Sequence, residues 1–260
     1  MTVASPLQVA QDSGIVTLTF NRPGALNALD LSLAMALHRA LSAIAADKSV
    51  RAVVLRGAGR AFMAGGDLHM LRADPLGSVA STLKYLNATV ELLASLDAPV
   101  IAQVHGAAAG AGLSFMLLAD FVLVAEGPRL NMAYVKLGTS CDVGASWILP
   151  RLVGLRRALE ISLLGDDVPL AEAQRLGLVN RVLPSGDLDA AVDELARRIA
   201  KGPTAALGQM RRLMRSSLDR SLTDQLAAET RAFCACVRTE DFPKGIEAFF
   251  EKREPQFEGR

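Results

Sequence analysis

Few residues in this chain could do chemistry, and most of the familiar reactive sets are missing. Three cysteines (Cys141, Cys234, Cys236) and three histidines (His38, His69, His105) are scattered singly. Cys234-Ala-Cys236 has the wrong spacing for a CxxC redox or zinc pair, so no metal site is expected. Cys141 has no histidine placed by motif to activate it and is not read as a nucleophile. What remains is main chain and a carboxylate. Residues 57–66 form a glycine-rich loop, and 107–112 are a run of small residues. Such stretches let a backbone come close to a ligand, although alone they are more often tight turns and close packing. Asp142 stands in Cys141-Asp142-Val143-Gly144, before the apolar Trp147-Ile148-Leu149-Pro150. Apolar neighbours disfavour its charged form and raise its pKa, which suits proton transfer. The same position suits an N-cap for a helix starting at Val143.

The elements that must position these groups alternate in type. Ile15–Phe20 alternates and is β-branched, so it reads as a strand; 52–55, Val100–Val104 and Phe121–Ala125 read as short buried strands. Helical spacing runs from about Asn27 through Leu33, Leu37, Leu41 and Ile44, then over 79–96 and 113–119. Strands that are apolar throughout, separated by helices, predict an α/β core with a parallel sheet buried on both faces. Beyond about Leu155 the pattern changes to amphipathic helices at 170–176, 187–200, 203–218, Leu222–Val237 and 241–251, with a short strand at 179–183. The expected division is an α/β core over 1–186 and a helical C-terminal region over 187–260.

Composition narrows the function classes. With 260 residues, 51% hydrophobic and 21% charged, a sizeable core is expected rather than disorder. Lys+Arg number 28 and Asp+Glu 27, so no basic excess argues for nucleic acid. No apolar run reaches the roughly 18 residues of a membrane helix, and no secretory signal is read at the start. Sparse, odd cysteines suit a reducing compartment, and a cytoplasmic protein with no membrane partner is expected.

Four stretches together resemble the crotonase (enoyl-CoA hydratase/isomerase) superfamily. They are Leu18-Thr-Phe-Asn21-Arg22-Pro23 with Ala25-Leu26-Asn27-Ala28-Leu29; Ala61-Phe62-Met63-Ala64-Gly65-Gly66-Asp67-Leu68; Ala98-Pro99-Val100-Ile101-Ala102-Gln103-Val104-His105-Gly106 with Ala109-Gly110-Ala111-Gly112; and Leu137-Gly138 through Leu149-Pro150-Arg151-Leu152-Val153-Gly154, with Ala171-Glu172-Ala173 and Gly177-Leu178-Val179 beyond. The ending Ala248-Phe249-Phe250-Glu251-Lys252-Arg253 is similar too. The resemblance implies a spiral of strand–strand–helix turns and a helical C-terminal trimerisation region. It also implies a homotrimer or homohexamer, an acyl-CoA thioester substrate, and no cofactor, coenzyme A being part of the substrate.

The family's shared step makes a thioester enolate, whose oxygen is stabilised by preorganised backbone N–H groups. By motif these are the N–H groups of Gly66 and Ala111, the second at a helix start whose positive end would face the charge. Asp67 is read as shaping the first loop, and His69 as a surface residue. Arg22 either organises the CoA-contacting turn or is solvated. Gly24 stands where many relatives carry a long side chain, leaving more of the CoA contact to backbone groups of Ala25, Ala64 and Leu68. Gly110 is placed at the acyl site, Met132 either lines the acyl pocket or is plain core, and Lys252 either meets CoA or is solvated. Arg211, Arg212 and Arg215 read as a solvated basic face or as a CoA contact across a subunit boundary.

One departure decides the expected chemistry. The positions of the two hydratase glutamates hold Ser114 and Tyr134. Serine is no base near neutral pH and tyrosine titrates near 10, so efficient hydration is not expected. Ser114 either bonds substrate or packs; Tyr134 either lines the acyl pocket or sits in the core with a satisfied hydroxyl. Asp142 matches the aspartate of isomerases that act on dienoyl-CoA or on the ring epoxide of phenylacetyl-CoA. The resemblance therefore implies an acyl-CoA isomerase with Asp142 as sole acid/base. A hydratase using atypical groups and a non-catalytic acyl-CoA binder are the alternatives.

Overall fold

The computed structural model describes residues 5–260. Its elements, in chain order, are β1 (Leu7–Asp12), β2 (Ile15–Phe20), α1 (Leu31–Ala46), β3 (Ala52–Gly57), α2 (Leu68–Ala73), α3 (Pro75–Ser95), β4 (Val100–Val104), β5 (Ala107–Ala109), α4 (Ala111–Leu118), β6 (Phe121–Ala125), β7 (Arg129–Asn131), α5 (Ala145–Val153), α6 (Leu155–Leu164), α7 (Leu170–Arg175), β8 (Arg181–Leu183), α8 (Leu188–Ala200), α9 (Thr204–Ser216), α10 (Leu222–Val237) and α11 (Asp241–Phe250). The main sheet has the order β1-β2-β3-β4-β6-β8; β1 pairs antiparallel with β2, and the other pairs are parallel.

Alternation sends residues of each strand to opposite faces. Val53, Leu55, Val100, Ala102 and Val104 join the core shared with α1, α3 and α4. Val54, Ile101 and Leu123 face the other way and pack on Leu188, Val192 and Ala196 of α8. Both faces are therefore covered, which is why these strands carry no polar alternation.

A second, smaller layer makes the winding a spiral. β5 pairs with β7, and isolated parallel bridges join Met63 to Ala108 and Leu29 to Gly66. Each turn thus runs from a main-sheet strand to a short segment of the second layer and then into a helix. Gly66 and Ala111 occupy equivalent places in successive turns, each next to the start of a helix.

The sequence reading missed β1, whose outward residues are mostly exposed, and the three-residue strands β5 and β7, too short for a periodic signal. It also missed α2 and α6, offered α5 only as a helix starting at Val143, two residues before its observed start, and began α3 at residue 79, four residues beyond the Pro75 that opens it behind the Asp74 cap. Among the described residues, no helix is long and apolar enough to cross a membrane.

Arg211, Arg212 and Arg215 are not a free solvated face: all three are tied to the core, Arg211 being buried and Arg212 and Arg215 half-buried. Arg211 Nε and Arg215 Nη2 meet the two oxygens of Asp120 at 2.7 and 2.9 Å. Both also reach helix C-terminal carbonyls: Arg211 through Nη1 and Nη2 to Leu96 and Leu93 of the α3 end, and Arg215 through the same Nη2 to Leu118 of the α4 end. Arg212 reaches Ser95 O and Asp97. Guanidinium groups placed at helix C-termini satisfy orphan carbonyls and complement the dipole, so this patch fastens α9 to the core.

Candidate active site

The two expected N–H donors are held by ordinary β-type bonding. Leu29 N–H donates to Gly65 O at 2.8 Å, and Asp67 N–H donates to Leu29 O at 2.9 Å. That pattern skips Gly66, as a parallel bridge must, and leaves its N–H outward. Ala111 is the first residue of α4, so its N–H has no partner within the helix. Among the described residues, neither N–H donates to a backbone carbonyl. Met63 N–H donates to Ala107 O and Ala109 N–H to Met63 O, both at 3.0 Å, which fixes one loop against the other. A Cβ built on Gly65 would stand 3.9 Å from the Ala111 nitrogen.

Two glycines are dictated by this junction. Gly110 has φ 50° and ψ −122°, which an L side chain does not tolerate. A Cβ on Gly112 would lie 2.0 Å from Met63 O, so only glycine lets α4 start against that carbonyl.

The first loop rests on a polar web beneath it. Buried Asn27, at φ 58°, sends Nδ2 to the carbonyls of Ala58, Ala61 and Phe62 at 2.9, 2.7 and 3.2 Å, while its Oδ1 accepts from Arg22 N–H at 2.9 Å. Asparagine suits both demands, since it tolerates the left-handed region and bonds nearby backbone. Arg22 is not a solvated turn residue: it contacts Asp67 at 2.9 Å and Asp30 at 3.1 Å, and bonds Ala28 O. Asp67 caps α2 by accepting from His69 N–H at 3.0 Å. Burial opposes its ionisation, but the Arg22 guanidinium and the N–H groups of Met70 and His69 outweigh it and hold the carboxyl below its ordinary value. Sequence reasoning gave Asn27 no role; its signal was an Asn three residues after the Arg22-Pro23-Gly24 turn.

Asp142 is not an N-cap. α5 begins at Ala145 behind Gly144, with no side-chain cap. The carboxylate instead accepts from the Tyr134 hydroxyl. Tyr134 Oη lies 2.9 Å from Ser114 Oγ, which lies 3.2 Å from Gly110 O. A Cβ on Gly110 would be 4.0 Å from Tyr134 Cζ, so the phenol stands beside the second donor loop. Burial pushes the Asp142 carboxyl above its usual range, and the Tyr134 hydrogen bond opposes this only in part. Burial and the neighbouring Asp142 charge push the Tyr134 hydroxyl far above its usual value, which keeps it protonated and a donor. Val143, β-branched at φ 52°, turns the chain sharply after Asp142.

The remaining expected residues divide. The Ala25 and Ala64 N–H groups are used within the chain, bonding Arg22 O and Leu26 O at 2.9 and 3.0 Å. Leu68 opens α2 and is exposed, as is His69. Met132 is a core residue at 1% exposure. Lys252 is exposed beyond α11, and among the described residues no hydrogen bond or ion pair ties it to Gly66, Ala111 or Asp142. Among the described residues, no group of His, Cys, Asp and Glu could hold a metal ion.

The site thus combines two N–H groups that have no backbone acceptor with a half-buried carboxylate, a set fit to stabilise an oxyanion and move a proton. A family model described as enoyl-CoA hydratase/isomerase matches residues 10–260. The chain is 36% identical to the 1,2-epoxyphenylacetyl-CoA isomerase of Escherichia coli (strain K12), over 96% of this chain and 97% of that protein. It is also 36% identical to the 2,3-dehydroadipyl-CoA hydratase of the same organism, over 98% of this chain and 100% of that protein. Among solved structures, an enoyl-CoA hydratase from Bacillus anthracis superposes with a TM-score of 0.93 at 31% identity, covering 98% of this chain and 100% of that one.

Proposed function

The chain belongs to the enoyl-CoA hydratase/isomerase family and has its crotonase fold, and from that premise we propose that it is an acyl-CoA isomerase with Asp142 as its proton shuttle. The observation that carries this reading is the path Asp142–Tyr134–Ser114–Gly110, which links a half-buried carboxylate to the loop that carries the Ala111 N–H. Ser114 and Tyr134 supply hydroxyls in that path, not bases.

On a 3-enoyl-CoA, the Asp142 carboxylate takes a proton from C2. The C–H electrons pass into the C1–C2 bond, and charge collects on the thioester oxygen. The Gly66 and Ala111 N–H groups donate to that oxygen. Asp142 then returns the proton to C4, the double bond settles between C2 and C3, and the carbonyl is restored. One carboxylate suffices, because the acid of the second step is the base of the first. Proton removal into an enolate also fits a ring-epoxide acyl-CoA of the kind named for the Escherichia coli isomerase. The scheme uses no cofactor.

The C-terminal helices support assembly into a homotrimer or homohexamer. Phe233, Phe249 and Phe250 are 67, 79 and 78% exposed in the single chain, an apolar load that a second copy would cover.

The test is incubation with 3-hexenoyl-CoA and 2-hexenoyl-CoA, wild type beside Asp142→Ala, with products separated and weighed. A shifted double bond at unchanged mass, lost in Asp142→Ala, is the expected result. A product heavier by one water would instead favour hydration, and substrate bound without turnover an acyl-CoA binder.

A further inference from the structure

Ser114 and Tyr134 each have one hydroxyl hydrogen and two acceptors within reach. Ser114 Oγ stands 3.2 Å from Gly110 O and 2.9 Å from Tyr134 Oη; Tyr134 Oη is bonded to Ser114 and to Asp142. Ser114 is fully buried, so water does not compete for its hydrogen.

Only two hydrogen arrangements keep the path continuous. With Asp142 ionised, a charge-assisted bond holds the Tyr134 hydrogen on the carboxylate. Tyr134 Oη then accepts from Ser114, and Gly110 O keeps only the Ser114 backbone N–H, 3.0 Å away. Once Asp142 is neutral, that charge no longer holds the phenol hydrogen. Tyr134 can turn to Ser114 Oγ, and Ser114 to Gly110 O.

Gly110 C=O and Ala111 N–H belong to one peptide group. A hydrogen bond accepted at its oxygen polarises the group and makes its N–H a stronger donor. We propose that Ser114 and Tyr134 are positioning residues forming a hydroxyl switch, which strengthens the Ala111 N–H when Asp142 holds the substrate's proton. In the enzyme that enters the reaction with Asp142 ionised, Asp142 is neutral only while the enolate exists, so the added stabilisation falls on the enolate and not on the bound substrate. Only hydroxyl hydrogens rotate; no covalent bond changes. The inference rests on the roles given above to Asp142 and Ala111.

The test reads the carbonyl stretch of hexanoyl-CoA, labelled with carbon-13 at the thioester carbon, bound to the protein. Tyr134→Phe removes the phenol oxygen and leaves Gly110 O as the remaining acceptor for the Ser114 hydrogen. The carbonyl band is expected at lower wavenumber in Tyr134→Phe than in wild type. In Tyr134→Phe/Ser114→Ala it is expected back at the wild-type position. Ser114→Ala alone is expected to lower kcat about fivefold with KM unchanged, the size of one ordinary hydrogen bond. Equal band positions in Tyr134→Phe and the double variant would overturn the switch. A wild-type band no lower than that of free hexanoyl-CoA would overturn the oxyanion reading itself, so the two failures are distinguishable.

Discussion

The two N–H donors occupy equivalent turns of the spiral, yet their peptide groups are backed differently. The carbonyl behind the Gly66 N–H is Gly65 O, which accepts a main-chain bond from Leu29 at 2.8 Å. The carbonyl behind the Ala111 N–H is Gly110 O, which accepts from the Ser114 backbone and has the Ser114 hydroxyl beside it. The first partner is fixed by strand-like pairing and by the Asn27–Arg22–Asp67 web below it. The second includes a rotor that leads through Tyr134 to Asp142. One donor is built for rigidity, and the other is wired to the group that carries the proton.

Breaking the wired side at its source should have the largest effect. Asp142→Ala is expected to lower isomerisation by about a thousandfold, within the range for losing a general base. Unchanged circular dichroism beside the kinetic assay separates this loss from unfolding.

Gly112→Ala attacks the joint between the two sides. Its Cβ would sit 2.0 Å from Met63 O, so α4 or the first loop must move. A stability loss of about 3 kcal/mol in urea unfolding is expected, the upper range for overpacking, together with a fall in kcat. Asn27→Ala loosens the rigid side alone. It strips the side-chain donor from the Ala58, Ala61 and Phe62 carbonyls and should cost about 2 kcal/mol by the same measurement.

The smallest effect sharpens the comparison through pH. Burial raises the Asp142 pKa, and its carboxylate is the form that accepts a proton, so kcat/KM should fall as pH drops through that raised value. The acid limb should therefore lie above the ordinary aspartate value of about 4. The Tyr134 hydrogen bond pulls the same pKa down, so Tyr134→Phe should move the limb to higher pH. A pH–rate profile of both proteins checks the sign.

The inner strands of the main sheet were legible because they are apolar on both faces, whereas the exposed edge strand β1 was not. The second layer was not, since β5, β7 and the bridges at Leu29 and Met63 are too short to show a period. In the site, Gly66, Ala111 and Asp142 were named from motif order. What sequence could not supply was pairing at a distance. Nothing in local spacing says that Arg22 meets Asp67, or that Arg211 meets Asp120. The N-cap reading of Asp142 failed because Val143 and Gly144 both take left-handed angles, which delays the helix to Ala145 and frees the carboxylate for Tyr134. Ser114 and Tyr134 were each read alone, and their meaning lies in the contact between them.

The most direct measurement of the single-shuttle claim uses 3-hexenoyl-CoA deuterated at C2 and turned over in ordinary water. A half-buried carboxylate that takes and returns the same hydrogen should leave deuterium at C4 in a fraction of the 2-hexenoyl-CoA product. A product whose new C4 hydrogen comes wholly from water would contradict it.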